Sequence, residues 1–511
     1  MNDSLPPAGP TPPARRLLVI GLDGATPEFV FPWIEEGRLP NLGGLMQKGA
    51  WGPIESTTPP FTSMAWPVFY SGCNPGKTGI LSYFDDYHAA VRKPATAASM
   101  RAKPIWRIMN EHGRRSIVVA APITYPPEPL DGVMVSGMDA PSESSAFTHP
   151  AALREELLER GYRIFIDRDL LYSGDTEKIY HEGVRVSRAK TDAFTRLLRA
   201  EPWDFAMVVL NEIDVISHFM TGDRVRDMYE ETDLLVGRML EAAGDDTLVL
   251  VISDHGVKPL KGRVFLNAIL KDLGLLHLKP ESAAAGALGR AGFSRERVKG
   301  VLQSLGLLNR LRGLVPRRLW NLQTALPAAE RRLVDVDMSR TKLYFDGGYW
   351  VRHGGGGEPT AAELAALEEA LARFGGKLYR GADLYHGPYA HKAPPYIAYI
   401  PDHYIASAIG AGGWLGGTTV RPGDHSMQAT AILAGPGGLV RAGEISGRLV
   451  DWAPTLLYLM GLPVPPEMDG EVLAQAVDPR VLAARPVTRE QPSKRQQALD
   501  RIKLLKTQGR I

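Results

Sequence analysis

Short apolar runs separated by amphipathic stretches set the rhythm of this chain. Residues 17–20 read LLVI and run into Gly21, Asp23 and Gly24. Similar runs recur at 116–121 (SIVVAA), 132–136 (GVMVS), 204–210 (DFAMVVL) and 247–252 (TLVLVI). Each has the length and composition of a strand buried on both faces. Between several of them lie helical patterns, as at 154–160 and 224–243. Strands alternating with helices predict an α/β fold: a doubly wound, mostly parallel central sheet with helices on both faces. Ligands of such sheets bind outside the carboxyl ends of the strands.

The rhythm changes after residue 268. The stretch from 290 to 320 is amphipathic and basic, with Arg290, Arg295, Arg297, Arg310, Arg312, Arg317 and Arg318. It reads as a helical insertion with solvated arginines, as a lid over an anionic substrate, or as a helix lying on a membrane surface. Strand-like sequence resumes at 341–345 (TKLYF), and a helix is expected at 360–374. Four glycines at 354–357 form a flexible connection. Another core strand is expected at 429–433 (ATAIL) and an apolar helix at 451–460. The expected division is a Pro-rich disordered leader (1–14), a first core segment (15–268), a basic helical insertion (269–334), a second core segment with small cap elements (335–480) and a helical tail (481–511).

Composition narrows the class. The 511 residues are 44% hydrophobic and 23% charged, enough for a large core with insertions. A net charge of +2 gives no whole-chain argument for nucleic acid. The single cysteine, Cys73, excludes an intrachain disulfide and a thiolate zinc site, and reads as a small buried filler. The first residues lack the apolar segment of a secretory signal, and no run reaches the length of a membrane span. The expectation is a cytoplasmic protein.

Acidic residues cluster where the strands end. Asp23 closes the first run, Asp254 and His255 follow TLVLVI, and Glu212 and Asp214 follow DFAMVVL. Asp214 and His218 stand four apart in NEIDVISHFM, so a helix would put both on one face. His425 lies in PGDHSM, which reads as a Gly-rich turn. Asp23, Asp214, His218, Asp254, His255 and His425 make six nitrogen and oxygen donors, which would suffice for two zinc ions with three protein ligands each. Each fragment alone has an ordinary reading, as an ion pair, a helix cap or a satisfied polar side chain.

Their order along the chain resembles the type I phosphodiesterase/nucleotide pyrophosphatase branch of the alkaline phosphatase superfamily. The resemblance runs from LLVIGLDGATP through LPNLGGLMQKGAWGPIESTTPPFTSMAWPVFYSGCNPGKTGILSYF, NEIDVISHFM, VISDHG and PGDHSM to ISGRLVDWAPTLLYLMGLPVPPEMDGEVL. It covers roughly 15–265 and 335–475, leaving out the basic insertion. It implies an alkaline phosphatase-like fold and Thr62 as nucleophile, four residues before Trp66. It also implies two divalent metal ions, zinc by preference. Asp23, Thr62, Asp254 and His255 would surround one ion, and Asp214, His218 and His425 the other. Phosphodiester or phosphoanhydride cleavage would proceed through a covalent phospho-Thr62, with net retention at phosphorus. Ser63 is the competing nucleophile.

Three departures bear on the substrate. Tyr83 stands near the position of an Asn that in many relatives holds a phosphoryl oxygen, so it is a candidate substrate-binding residue. Thr78 replaces a common His, and Ser426-Met427 follow His425 where some relatives carry Arg. These weaken a nucleotide assignment. Other readings stay open on the same two-metal site: a phosphomonoesterase or phosphonate ester hydrolase, and a non-catalytic binding protein. The sulfatase context is missing from PFTSMAWP. The expected partner is a small phosphate ester, with no nucleic acid and with peripheral membrane contact through the basic helices as an option. His88, His353, His386 and His391 are further histidines that could reach a substrate.

Overall fold

The structure, a computed structural model, describes residues 11–85, 93–171, 173–279, 330–331, 333–410, 413–417 and 421–489. Its chain divides into two compact units. The first comprises Met1–Pro259, Ala382–Ala393 and Val420–Ile511, and the second Leu260–Gly381 and Pro394–Thr419.

The first unit is built on one large sheet. Its strands are β1 (Arg16–Leu22), β2 (Ala50–Glu55), β3 (Ser116–Val119), β4 (Gly132–Val135), β5 (Thr148–His149), β6 (Phe205–Leu210) and β7 (Thr247–Ile252). After β7 come β8 (Gly256–Pro259), β9 (Gly423–Ser426) and β10 (Gln428–Ala434). The sheet order is β2-β10-β7-β1-β6-β3-β4-β5, with two short strands, Gly443–Glu444 and Gly447–Arg448, on the outer side of β2. The centre is parallel: Leu17 of β1 stands opposite Phe205 on one side and Leu248 on the other. Only the margins, β10 and β5, run antiparallel.

Alternation along β1 explains the layers. Leu17 and Val19 face one core, with Trp66, Phe69, Trp452 and Leu456. Leu18, Ile20 and Leu22 face the other, with Phe194, Leu197, Val236 and Met239. Burial on both faces is why the run is continuously apolar, and each such side chain contributes about 1.5–3 kcal/mol. The helices are α1 (Thr62–Ser71) on the first face, and α2 (Thr176–Ala200) and α4 (Asp223–Ala243) on the second, with α3 (Glu212–Phe219) following β6. The doubly wound, mostly parallel α/β fold expected from the pattern is therefore the one observed.

The second unit has its own antiparallel sheet, in the order Leu343–Phe345, Trp350–His353, Tyr396–Tyr399, Lys377–Arg380. The helix Ala361–Ala372 opens with a capping box in which Thr360 and Glu363 bond each other's backbone N–H. The stretch 335–381 pairs with itself and with 396–399 to close a separate sheet, so it does not return to the main core. Most of the basic insertion, including 290–320, lies outside the described residues, as do His88, the leader up to residue 10 and the tail from 490. Ala14, assigned to a disordered leader, is buried and donates its N–H to Leu459 O at 3.0 Å. Among the described residues no helix is long and apolar enough to cross a membrane.

Candidate active site

Three parallel strands end at the same edge of the sheet, and each delivers a carboxylate there. β1 gives Asp23, β6 leads through Asn211 into α3 with Asp214 and His218, and β7 gives Asp254 and His255. Two glycines let these segments close up. A Cβ on Gly21 would stand 2.5 Å from the indole of Trp66, and Gly24 (φ +76°) has Asp214 Cα 2.8 Å from where its Cβ would be. The positive φ costs glycine nothing. Trp66 uses the space at Gly21 to donate from Nε1 to Asp23 Oδ2 at 3.2 Å.

His425 arrives differently from expectation. PGDHSM is a strand, β9, paired antiparallel with β8 so that His425 opposes Val257. Pro422 precedes the pairing, and Gly423 lies so close to Ser217 O (2.1 Å from its would-be Cβ) that no side chain fits there. A short polar segment gives no apolar alternation, so its strand character came only from this pairing.

The imidazoles converge. His218 Nδ1 donates to Gly423 O at 2.9 Å, which turns Nε2 inward to 2.9 Å from His425 Nε2. Asp214 Oδ1 lies 3.3 Å from each of these two nitrogens. His255 Nδ1 donates to Gly256 O at 3.2 Å, and its Nε2 faces Thr62 Oγ1 at 3.0 Å, Asp254 Oδ2 at 3.2 Å and Asp23 Oδ1 at 3.6 Å. The His255 and His425 rings stack with centroids 4.0 Å apart. Tyr83 lies close to the Thr62 side chain, and the residue stays 42% exposed. All eight residues singled out in the sequence thus come together in the first unit.

The charge balance is unusual for a buried place. Asp23 Oδ1, Asp214 Oδ1 and Asp254 Oδ2 are buried without any hydrogen-bond donor. Burial, then the charge of Asp214, pushes Asp23 up to about 7. Burial, then Asp23 and Asp214, pushes Asp254 well above the carboxylate range. Burial acts the same way on Asp214, but His218 and His425 outweigh it and hold Asp214 well below that range. Burial, then His425, keeps His255 well below the usual imidazole range. Orphaned carboxylate oxygens beside inward-turned imidazole nitrogens are the donor set of a hard-to-borderline divalent cation. Among the described residues, three groups of side chains lie close enough to share a cation: Asp23, Asp254 and His255; Asp214, His255 and His425; and His218, Asp424 and His425. The first is the expected grouping without Thr62. The other two divide the remaining donors differently, because His425 stands between His218 and His255.

Some contributors were missed in the sequence. Asp424 adjoins His425 and could have been read from that adjacency. Asn211, whose Nδ2 donates to Asp23 Oδ2 at 2.6 Å, gave no signal beyond lying beside Glu212. Of the further histidines, His386 pairs with Asp469 and His391 with Pro388 O, while His353 belongs to the second unit. Ser63 Oγ is buried and has no hydrogen-bond partner, whereas Thr62 is engaged by His255.

The model of the type I phosphodiesterase/nucleotide pyrophosphatase family matches residues 17–307, more than half of the 511. The chain belongs to this family. It is accordingly a phosphoester hydrolase. Among solved structures, human ectonucleotide pyrophosphatase/phosphodiesterase 5 is 13% identical with a TM-score of 0.50, covering 89% of this chain and 97% of its own. Phosphonoacetate hydrolase from Sinorhizobium meliloti 1021, in complex with phosphonoacetate, is 14% identical with a TM-score of 0.54, covering 88% and 96%. At such identities these likenesses establish the shared fold. No curated protein matches the chain.

Proposed function

We propose that this phosphodiesterase-family protein cleaves a phosphodiester or phosphoanhydride bond of a small molecule, with Thr62 as the nucleophile. The observation that carries this reading is the position of Thr62 Oγ1. It opens a buried helix 3.0 Å from His255 Nε2, beside two carboxylates with unpartnered oxygens. Asp23, Asp254 and His255, with Thr62, would hold one divalent cation, and Asp214, His218 and His425 a second, with Asp424 near the latter. Zinc fits these nitrogen and oxygen donors best. Bound cations there would lower the pKa of coordinated hydroxyls and neutralise charge on attacking and leaving oxygens.

The protein's own groups do the rest. α1 fixes Thr62 at its first turn, and the hydrogen bond to His255 aims the hydroxyl into the carboxylate cluster. The first displacement forms the Oγ1–phosphorus bond and breaks the bond to the leaving oxygen. Water then breaks the Oγ1–phosphorus bond and regenerates Thr62, so two in-line steps give net retention. Tyr83, near Thr62 and partly open to solvent, would donate to a non-bridging phosphoryl oxygen.

Comparing hydrolysis of bis-p-nitrophenyl phosphate and p-nitrophenyl phosphate tests the reading. Dominant diester turnover that disappears with EDTA and in Thr62→Ala is expected. Dominant monoester turnover would move the activity to a phosphatase on the same site. Diester turnover that survives in Thr62→Ala would refute the nucleophile.

A further inference from the structure

Behind the site lies an ion pair with no role in the chemistry above. Lys190 on α2 and Glu212 at the start of α3 are both fully buried, with Nζ 2.7 Å from Oε1. Ser187 Oγ donates to the other oxygen, Glu212 Oε2, at 2.9 Å. Such a pair is a poor source of stability, because the cost of desolvating two charges offsets most of their attraction. An apolar pair would serve the core as well, so the pair calls for another explanation.

Its second contact supplies one. Lys190 Nζ also lies 3.4 Å from Asn211 Oδ1. An ammonium only donates, so only the carbonyl end of the Asn211 amide can face it. The NH2 end is thereby turned the other way, and it meets Asp23 Oδ2 at 2.6 Å. Trp66 Nε1 donates to that same oxygen. Oδ2 is thus occupied by two donors, while Oδ1 is buried, has no donor and faces His255.

We infer that Lys190 and Glu212 are a remote positioning pair. They lock the Asn211 amide in one orientation, and so commit Asp23 to bind a metal cation through Oδ1 alone. Without the lock the amide can flip and present its own carbonyl oxygen to the Asp23 carboxylate, which repels it and lets it rotate. The inference rests on the proposed metal-binding role of Asp23.

The test is Zn2+ affinity of the metal-free full chain, measured by competition with a chromophoric chelator, alongside its melting temperature. The variants are Asn211→Leu, the charge-free pair Lys190→Met/Glu212→Gln, and the milder Lys190→Gln/Glu212→Gln in case the first pair does not fold. Losses of partners that orient a metal ligand run to about 10–100-fold in affinity, and that is expected for Asn211→Leu and for the folded pair variants. Combining Asn211→Leu with a pair variant should add little, since both remove one linkage. Ser187→Ala touches Glu212 but not Asn211, so it should lower the melting temperature and leave Zn2+ affinity unchanged. Wild-type affinity in a folded pair variant would overturn the inference, as would losses that simply add. A wild-type chain that binds no Zn2+ would instead remove the metal-site reading beneath it.

Discussion

At the scale of single residues, Thr62 is distinguished from its neighbour by its partners. Its hydroxyl meets His255, whereas Ser63 Oγ meets no polar group. Thr62→Ala should therefore lower kcat by on the order of 10³-fold or more, and Ser63→Ala should stay near wild type in the same diester assay. Tyr83→Phe removes one donor to a charged phosphoryl oxygen. A loss of about 10-fold in kcat/KM, ~1.4 kcal/mol, is expected from steady-state kinetics. Asp23 titrates in an informative window. Its folded pKa, about 7, is above the ordinary carboxylate value of 3.8. A raised pKa contributes stability that is full at low pH and is lost as pH rises through about 7. In EDTA, the melting temperature of the wild type relative to Asp23→Asn should thus fall between pH 4 and pH 7, to about those limits. Metal ligation needs the carboxylate, so Zn2+ affinity should rise with pH over the same window. A wild-type-minus-variant difference that is flat with pH would refute this. The carboxylates Asp23, Asp214 and Asp254 were legible in the sequence, because strand ends and a DxxxH spacing are local patterns, whereas Thr62 and Tyr83 came only from the resemblance to the family. The amide of Asn211 was not legible, because its meaning depends on Lys190, on a different helix.

At the scale of elements, the strands could be read because their burial is two-sided. Residues 247–252 were expected as a strand and form one, and NEIDVISHFM forms the helix that its spacing implied. The strand around His425 was not legible, since it owes its form to pairing with Gly256–Pro259. The close approach of α1 to β1 was also invisible until Trp66 was seen over Gly21. Gly21→Ala would push a methyl group into that indole, which is 2.5 Å away. A destabilisation of ~1–3 kcal/mol is expected in denaturant unfolding, with weaker metal binding because Trp66 also holds Asp23. Unchanged stability would show that the indole moves aside freely.

At the scale of the whole molecule, the layers of the first unit follow from the apolar pattern, whereas the pattern carries no signal for the separate sheet of the second. The run 341–345 looks like any core strand, and only its partner Trp350–His353 reveals that it belongs to another sheet. Each of Asp23, Asp214 and Asp254 keeps one buried carboxylate oxygen without a donor at the site. Cation binding should therefore stabilise the entire fold by mass action, by ~2.7 kcal/mol when free metal exceeds Kd 100-fold. EDTA should lower the melting temperature of the wild type and have a smaller effect on a variant lacking both Asp23 and Asp254 carboxylates.

The most direct measurement is to quench a rapid reaction with a diester in acid and map the peptides by mass spectrometry. A phosphoryl adduct on Thr62 that forms and decays within turnover is the expected result. An adduct on Ser63, or none together with inversion at phosphorus, would contradict a covalent mechanism through Thr62.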